Sequence, residues 1–405
     1  MKKIILIISC LGLLAACGNN NNGDTPPPPA TVEQQTGVFT DGVISGAYYK
    51  TSSGLEGYTD TDGHYQYNQG DTVTFSIGGI QLGHSVTAKD RISPLDLSEN
   101  NNVRTNIMIL LQSLDEDGNH DNGIQIAEAA LAMLTAQDLN FEEPPASFVN
   151  NAKLIAAVIV IDPSRSPVQP DIALNNFKDT FFKDITGVWV STTEASDDEI
   201  FLMSIRPNGS YLIGEVGEED SNGYNGIEAG LISWNPLTTE LTVSIEPDDD
   251  TNGDWGLSDP ESNIPFKLNF DGTHLLIIEN GVTHNFKRID HQPNTIFGAW
   301  RYPATGQIYA FLSNNRYFIV DSSTGLEGLN CGNSGIEYGE FSYTNNQLKA
   351  TRISADTNGC VGFSATLNAN TSYTIQINEN IMSLKGFGEA TYTLTRVQGY
   401  EAPSN

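Results

Sequence analysis

Two kinds of acidic turn carry the residues best able to do chemistry in this chain. The first runs from Asp117 to Glu128. With Asp117 at position 1, side-chain oxygens fall at positions 1, 3 and 5 (Asp117, Asn119, Asp121), and Gly123 offers a backbone carbonyl at position 7. Ile124 is the apolar residue at position 8, and Glu128 at position 12 can supply a bidentate carboxylate. That is the spacing of a twelve-residue calcium loop, in which alternate residues converge the six to eight oxygens a hard cation requires. Asn122 stands where such loops usually have glycine, and Asn tolerates the left-handed backbone needed there. The alternative is a solvated loop between two helices. The second kind of turn is Asp-Thr-Asn-Gly, found at 250–253 and 356–359, each downstream of a glutamate flanked by glycines (Glu228, Glu337). Two facing carboxylates could hydrolyse a glycoside. Both copies carry the same set, however, and Asp and Asn favour turns because their side chains bond the backbone two residues on. A structural role is therefore expected, and no catalytic residue is assigned. The denser cluster of Asp250, Asn252 and Asp254 is a weaker calcium candidate.

Composition narrows the function classes. The 405 residues include 50 acidic against 20 basic, a formal net charge of −30. A field of that sign repels nucleic acid and attracts cations, so no nucleic-acid partner is expected. The six histidines are scattered without a metalloprotease spacing, and no nucleophile elbow, phosphate loop or dinucleotide fingerprint occurs. The chain reads as non-enzymatic.

The N-terminus reads as an address. Lys2 and Lys3 precede an apolar run from Ile4 to Leu14, the length of a signal-peptide core. It ends Leu14-Ala15-Ala16-Cys17, which resembles the lipobox of bacterial lipoproteins. The resemblance implies that residues 1–16 are removed, that Cys17 is acylated, and that the protein's membrane partner is the lipid bilayer. Gly18, in place of an Asp, implies the outer membrane of a Gram-negative cell. Residues 17–35, rich in Asn and Pro, read as a tether that cannot build a core. Of the four cysteines, Cys331 and Cys360 would remain as thiols in an exported protein. The compartment favours a disulfide between them over two free thiols.

The elements that must position these residues are mainly β. Residues 36–100 alternate with period 2 between glycine-rich turns. The run Thr59-Asp-Thr-Asp62-Gly63-His-Tyr65-x-Tyr67 resembles carboxypeptidase-regulatory-like and other Ig-like modules of surface proteins. There Asp60 and Asp62 read first as a hairpin turn. Residues 101–182 switch to helical spacing (Val103, Ile107, Leu110, Leu111) and contain the EF-hand-like loop. The C-terminal half is a duplication, residues 183–290 and 293–398. Gly187-Val-Trp189 matches Gly298-Ala-Trp300, Gly226-Ile-Glu228-x-Gly230 matches Gly335-Ile-Glu337-x-Gly339, and Asp250-Thr-Asn-Gly253-x-x-Gly256-x-Ser258 matches Asp356-Thr-Asn-Gly359-x-x-Gly362-x-Ser364, with offsets of 106 to 111 residues. Each copy reads as about eight short strands in sequential hairpins, closing into a barrel. The opening Gly-x-Trp resembles lipocalin-type barrels, and an Ig-like sandwich is the other architecture the pattern allows.

The expected fold is thus mainly β and multidomain: a small β-sandwich module, a helical EF-hand-like segment, and two repeated antiparallel β-meanders. The expected function is that of an outer-membrane-anchored surface lipoprotein, calcium-stabilised, adhesin-like or ligand-binding, with a protein or glycan as partner. A lipocalin-like carrier of a small apolar ligand and a carbohydrate-active hydrolase are the alternatives.

Overall fold

A computed structural model describes residues 34–135, 138–192, 199–220, 223–260, 264–322, 333–359, 362–369, 371–386 and 391–399. Cys17, Cys331 and Cys360 lie outside them. Described strands far outnumber helices, and they form several sheets, one of them a closed eight-stranded barrel.

The period-2 segment at the start folds as expected into two small sheets. One is three-stranded, with Gln34–Phe39 between His64–Asn68 (antiparallel) and Arg91–Ile92 (parallel). The other orders Glu56–Tyr58, Tyr48–Thr51, Thr72–Ile77 and Ile80–Thr87. Alternate side chains meet between them: Phe39 stacks on Phe75 at 4.1 Å, and Tyr65 meets Phe75 edge-on at 5.2 Å. Such aromatic pairs add about 0.5–1.5 kcal/mol each beyond area burial.

The helical spacing becomes the helix Asn101–Ser113, capped by Asn100, whose Oδ1 accepts from Asn102 N–H at 2.9 Å. The apolar run at 154–161 is helix Ala152–Ile161, and the segment around Phe177 lengthens into helix Pro170–Asp184. That last helix joins the helical segment to the first meander. Phe181 stacks on Trp234 at 3.8 Å, and Trp234 Nε1 donates to the Leu268 carbonyl at 3.0 Å. One continuous apolar core therefore runs from Phe39 through the helices into the first meander.

Both meanders have eight antiparallel strands in sequence order. The first comprises Gly187–Ser191, Ile200–Ile205, Ser210–Val216, Gly226–Trp234, Leu241–Asp250, Lys267–Phe270, His274–Glu279 and Val282–Arg288. The second comprises Gly298–Arg301, Ile308–Phe311, Arg316–Asp321, Gly335–Thr344, Gln347–Asp356, Tyr373–Asn378, Ile381–Lys385 and Thr391–Arg396, and it is closed. They differ at one seam, between strands five and six. In the second copy Gln347 and Leu348 pair with Thr374 and Tyr373. In the first, at the same register, the seam shrinks to a Glu240–Lys267 bridge, with Leu241 N–H donating to Phe266 O at 2.8 Å. The first meander is a barrel whose last seam is barely closed.

The Gly-x-Trp landmarks have a shared purpose. Trp189 and Trp300 each donate Nε1–H to a carbonyl four residues back, of Ile185 and Ile296, both at 2.8 Å. Each indole is covered by an arginine from the last strand, Arg288 at 4.6 Å and Arg396 at 4.0 Å from the ring centre. The two barrels pack through the outward residues of equivalent strands. Leu202, Val216 and Ile227 of the first are buried with Phe318, Val320 and Ile336 of the second. This arrangement repeats the self-complementary contact of a symmetric dimer within one chain.

Candidate functional site

In the third strand of the first barrel, Tyr211, Ile213 and Glu215 point into the lumen. Leu212, Gly214 and Val216 face the second barrel. The fourth strand brings in Glu228, which is fully buried. Its carboxylate accepts from Tyr211 O–H at 2.7 Å, Leu257 N–H at 2.9 Å and Ser258 N–H at 3.0 Å. The second copy repeats this with Tyr317 (2.7 Å), Phe363 N–H (2.6 Å) and Ser364 N–H (3.0 Å) around Glu337. The glycine of each turn is obligatory. Gly256 and Gly362 have φ of +97° and +111°, and a Cβ there would lie 2.6 and 2.5 Å from the glutamate oxygen. The shared Glu and the Asp-Thr-Asn-Gly-x-x-Gly-x-Ser turn thus form a lock. Thr251 and Thr357 extend it, each accepting at Oγ1 from the strand N–H of Ile227 or Ile336.

A second buried acid lies beside the lock. Asn252 Nδ2 donates to Glu215 Oε2 at 2.8 Å, as Asn358 Nδ2 does to Asp321 Oδ2 at 2.6 Å. Burial pushes the Glu215 carboxyl up to about 8 against the pull of that amide, with the Glu228 charge adding to the rise. Burial likewise pushes Asp321 up to about 7. Both asparagines are fully buried, and both have an Oδ1 without a hydrogen-bond partner. A protonated carboxyl beside each amide is a donor that a carboxylate is not.

Above these groups the barrels diverge. In the second, Phe363 fills the lumen, with ring centres 5.2 Å from Tyr317, 5.4 Å from Tyr373, 5.9 Å from Tyr309 and 6.0 Å from Phe311. In the first, the turn has Leu257 at that place. The strand registers set Met203 opposite Trp189 as Tyr309 is opposite Trp300, and Ile205 opposite Gly187 as Phe311 is opposite Gly298. At the mouth of the first barrel, beside Leu257, there is open space. Two adjoining lobes of about 280 and 270 Å³ share Phe201, Glu215, Trp255, His284 and Phe286. Phe201 and Phe286 meet edge-on at 5.0 Å. Gly223 seats the indole of Trp255 so closely that a Cβ would fall 1.7 Å from Nε1. Glu199, Glu218, Asp254, Asp259 and Glu279 also line the space, and no Lys or Arg does among the described residues.

No protein-family model and no curated protein matches the chain. Among solved structures, one match is the crystal structure of the Helicobacter pylori beta clamp bound to DNA ligase peptide. It is 8% identical over 56% of this chain and 64% of that one, so the match spans less than two thirds of that chain, at a TM-score of 0.10. At that score the likeness carries no argument.

Among the described residues, Asp117, Asp121 and Glu128 do not come within 4.8 Å of one another. Asp117 accepts from Asn119 N–H at 2.7 Å and Asn122 Nδ2 at 2.8 Å, Asn119 Oδ1 accepts from Asp121 N–H, and Asp121 pairs with Lys183 Nζ at 2.8 Å. Gly123 leads into Ile124–Gln125, which pairs in parallel with Ile44–Ser45, so the loop runs helix to strand. Glu128 is exposed, in a four-residue helix. Asp115, two residues before the loop, is buried, and its carboxyl is pushed up to about 6 by burial, with the Asp117 charge adding to it. Of the weaker set, Asp250 lies opposite Glu228 in the strand ladder, Asn252 is bound to Glu215, and Asp254 is exposed in the cavity wall. Among the described residues, the group whose ligand atoms lie within 4.8 Å of one another is Asp60, Asp62 and His64. There Asp60 Oδ1 accepts from Asp62 and His64 N–H, the bonds of a hairpin turn. Sequence reasoning passed over Glu215, although aligning the copies pairs it with Asp321, a carboxylate kept at an inward-facing strand position.

Proposed function

We propose that this is a lipid-anchored, non-enzymatic binding protein of the Gram-negative envelope, which takes a small ligand at the mouth of its first barrel while the second serves as scaffold. The observation that carries this reading is the contrast between the copies. The same polar lock lies under an aromatic plug in one and under an open, aromatic and carboxylate-lined space in the other. Concave, largely preformed spaces with a few convergent polar groups are the usual form of small-ligand sites. The buried acid supports binding rather than hydrolysis, because the plugged barrel keeps it as Asp321. Calcium bracing at Asp117–Glu128 is not part of this reading: Asp117 and Asn119 accept within the turn, and Asp121 pairs with Lys183.

Two measurements test it. Leu257→Phe copies the plug into the first barrel, at a side chain already facing the lumen. Thermal unfolding of wild type and variant is to be compared across calcium, choline, short oligosaccharides and fatty acids. At least one class raises the wild-type transition and fails to raise that of the variant, since a ligand stabilises by RT ln(1 + [L]/Kd). Equal responses throughout would sink the binding reading. The address is tested by Cys17→Ser in a Gram-negative host, which moves the protein from the membrane fraction to the soluble periplasm. Retention of the variant in the outer membrane would refute lipid anchorage.

A further inference from the structure

We infer that the mouth of the first barrel takes a small organic cation, its ammonium group seated among aromatic rings and ringed by carboxylates. The inference rests on reading this cavity as a binding site, and it adds the class of ligand. The walls come from Trp255, Phe201, Phe266 and Phe286, whose ring faces attract a desolvated cation. Glu215 opens on the same space, and Glu199, Glu218, Asp254, Asp259 and Glu279 surround it with no cationic side chain among the described lining residues.

Each competing class lacks something here. An anion or a fatty acid carboxylate would face five rim carboxylates and no lining Lys or Arg among the described residues. A neutral sugar needs donors as well as acceptors, and the amide of Asn285 and the ring of His284 are the side-chain donors apart from the indole and Ser191. A metal ion needs several converging oxygens or nitrogens, and no three carboxylates or imidazoles of this wall come within 4.8 Å of one another among the described residues. An ammonium head group uses both features of the wall, the ring faces and the negative rim. The protein's net charge of −30 raises the local concentration of any cation that approaches. Behind Glu215, the fully buried Asn252 Oδ1 is a further acceptor without a partner.

The test is calorimetric titration of the folded protein with choline and with its neutral isostere 3,3-dimethylbutan-1-ol. Choline binds at least tenfold more tightly than the isostere. Trp255→Ala weakens choline at least fivefold, and Glu199→Gln with Asp254→Asn does so while leaving the isostere within twofold. Equal binding of the two compounds would overturn the cation inference while leaving the cavity as a ligand site. If choline produces no heat but another class stabilises wild type and not Leu257→Phe, the cation inference falls and the binding reading stands. If no class does so, both fall.

Discussion

Glu337→Leu destabilises the second barrel by about 3–5 kcal/mol, the cost of leaving its hydrogen-bond donors without an acceptor. The leucine fills much of the same volume but accepts nothing. Tyr317 O–H and Phe363 N–H lose their acceptor inside the core, and Ser364 N–H loses its acceptor at the partly buried edge. Each orphaned donor carries about 1–3 kcal/mol of desolvation. Tyr317→Phe removes one donor and leaves the carboxylate held by two, so it costs less, about 1–2 kcal/mol. Glu228→Leu in the first barrel behaves alike, because the three bonds recur there at 2.7, 2.9 and 3.0 Å. Urea unfolding followed by fluorescence reads the effect. Trp300 is the single tryptophan of the second copy, whereas Trp189, Trp234 and Trp255 belong to the first. A Glu337→Leu midpoint equal to that of wild type would show the glutamate to be a spectator.

Stability carried by Glu215 and Asp321 falls as pH rises. Burial holds both carboxyls protonated in the fold, with values near 8 and 7, while the unfolded chain ionises them at the usual carboxylate values near 4. Between those limits the unfolded state binds fewer protons than the folded one. Each group therefore lowers the unfolding free energy by up to roughly 1.4 kcal/mol per pH unit across its window. The contribution is whole below about pH 4, and it is lost by about pH 7 for Asp321 and pH 8 for Glu215. Other acids act in the opposite sense, Asp71 for example, held down to about 2 by hydroxyl and amide donors against the effect of partial burial. The informative quantity is thus the difference from a variant. Glu215→Gln with Asp321→Asn keeps an uncharged hydrogen-bonding group at each place. The pair matches wild type near pH 4 and exceeds it by more than about 1 kcal/mol at pH 8, in urea midpoints taken along the series. A wild-type pH slope in the double variant would place the ionisation elsewhere.

The two results bear on one design. A lock built from glutamate, tyrosine and a glycine-bearing turn is repeated, and next to it an acid–amide pair is repeated, so both are properties of the barrel. What is not repeated is the plug. Phe363, Tyr309 and Phe311 fill the second lumen, while in the first Leu257 lies in the wall of an open space beside Trp255. A duplicated chain can keep one copy for packing and free the other for a ligand, provided the two share an interface that holds the free copy rigid. The buried seam of Leu202, Val216 and Ile227 against Phe318, Val320 and Ile336 is such an interface.

By itself the sequence determined what depends on local order along the chain. Period-2 alternation, the glycine and Asx turns and the repeated landmarks sufficed for two eight-stranded antiparallel meanders, because strand facing and turn geometry follow from neighbouring residues. The role of the Asp-Thr-Asn-Gly turn as structure was legible for the same reason. Only the tertiary structure decided what depends on remote segments meeting. The Asp117 loop has the spacing of a calcium site. Ile124 and Gln125 pair with Ile44 and Ser45, and Asp121 with Lys183 from a helix some 60 residues on, partners that the spacing does not reveal. Glu215 is an unremarked strand residue until Asn252 and Trp255 close over it from another hairpin. Whether a barrel is hollow is a sum of side-chain volumes drawn from every strand, and no single window of sequence contains that sum.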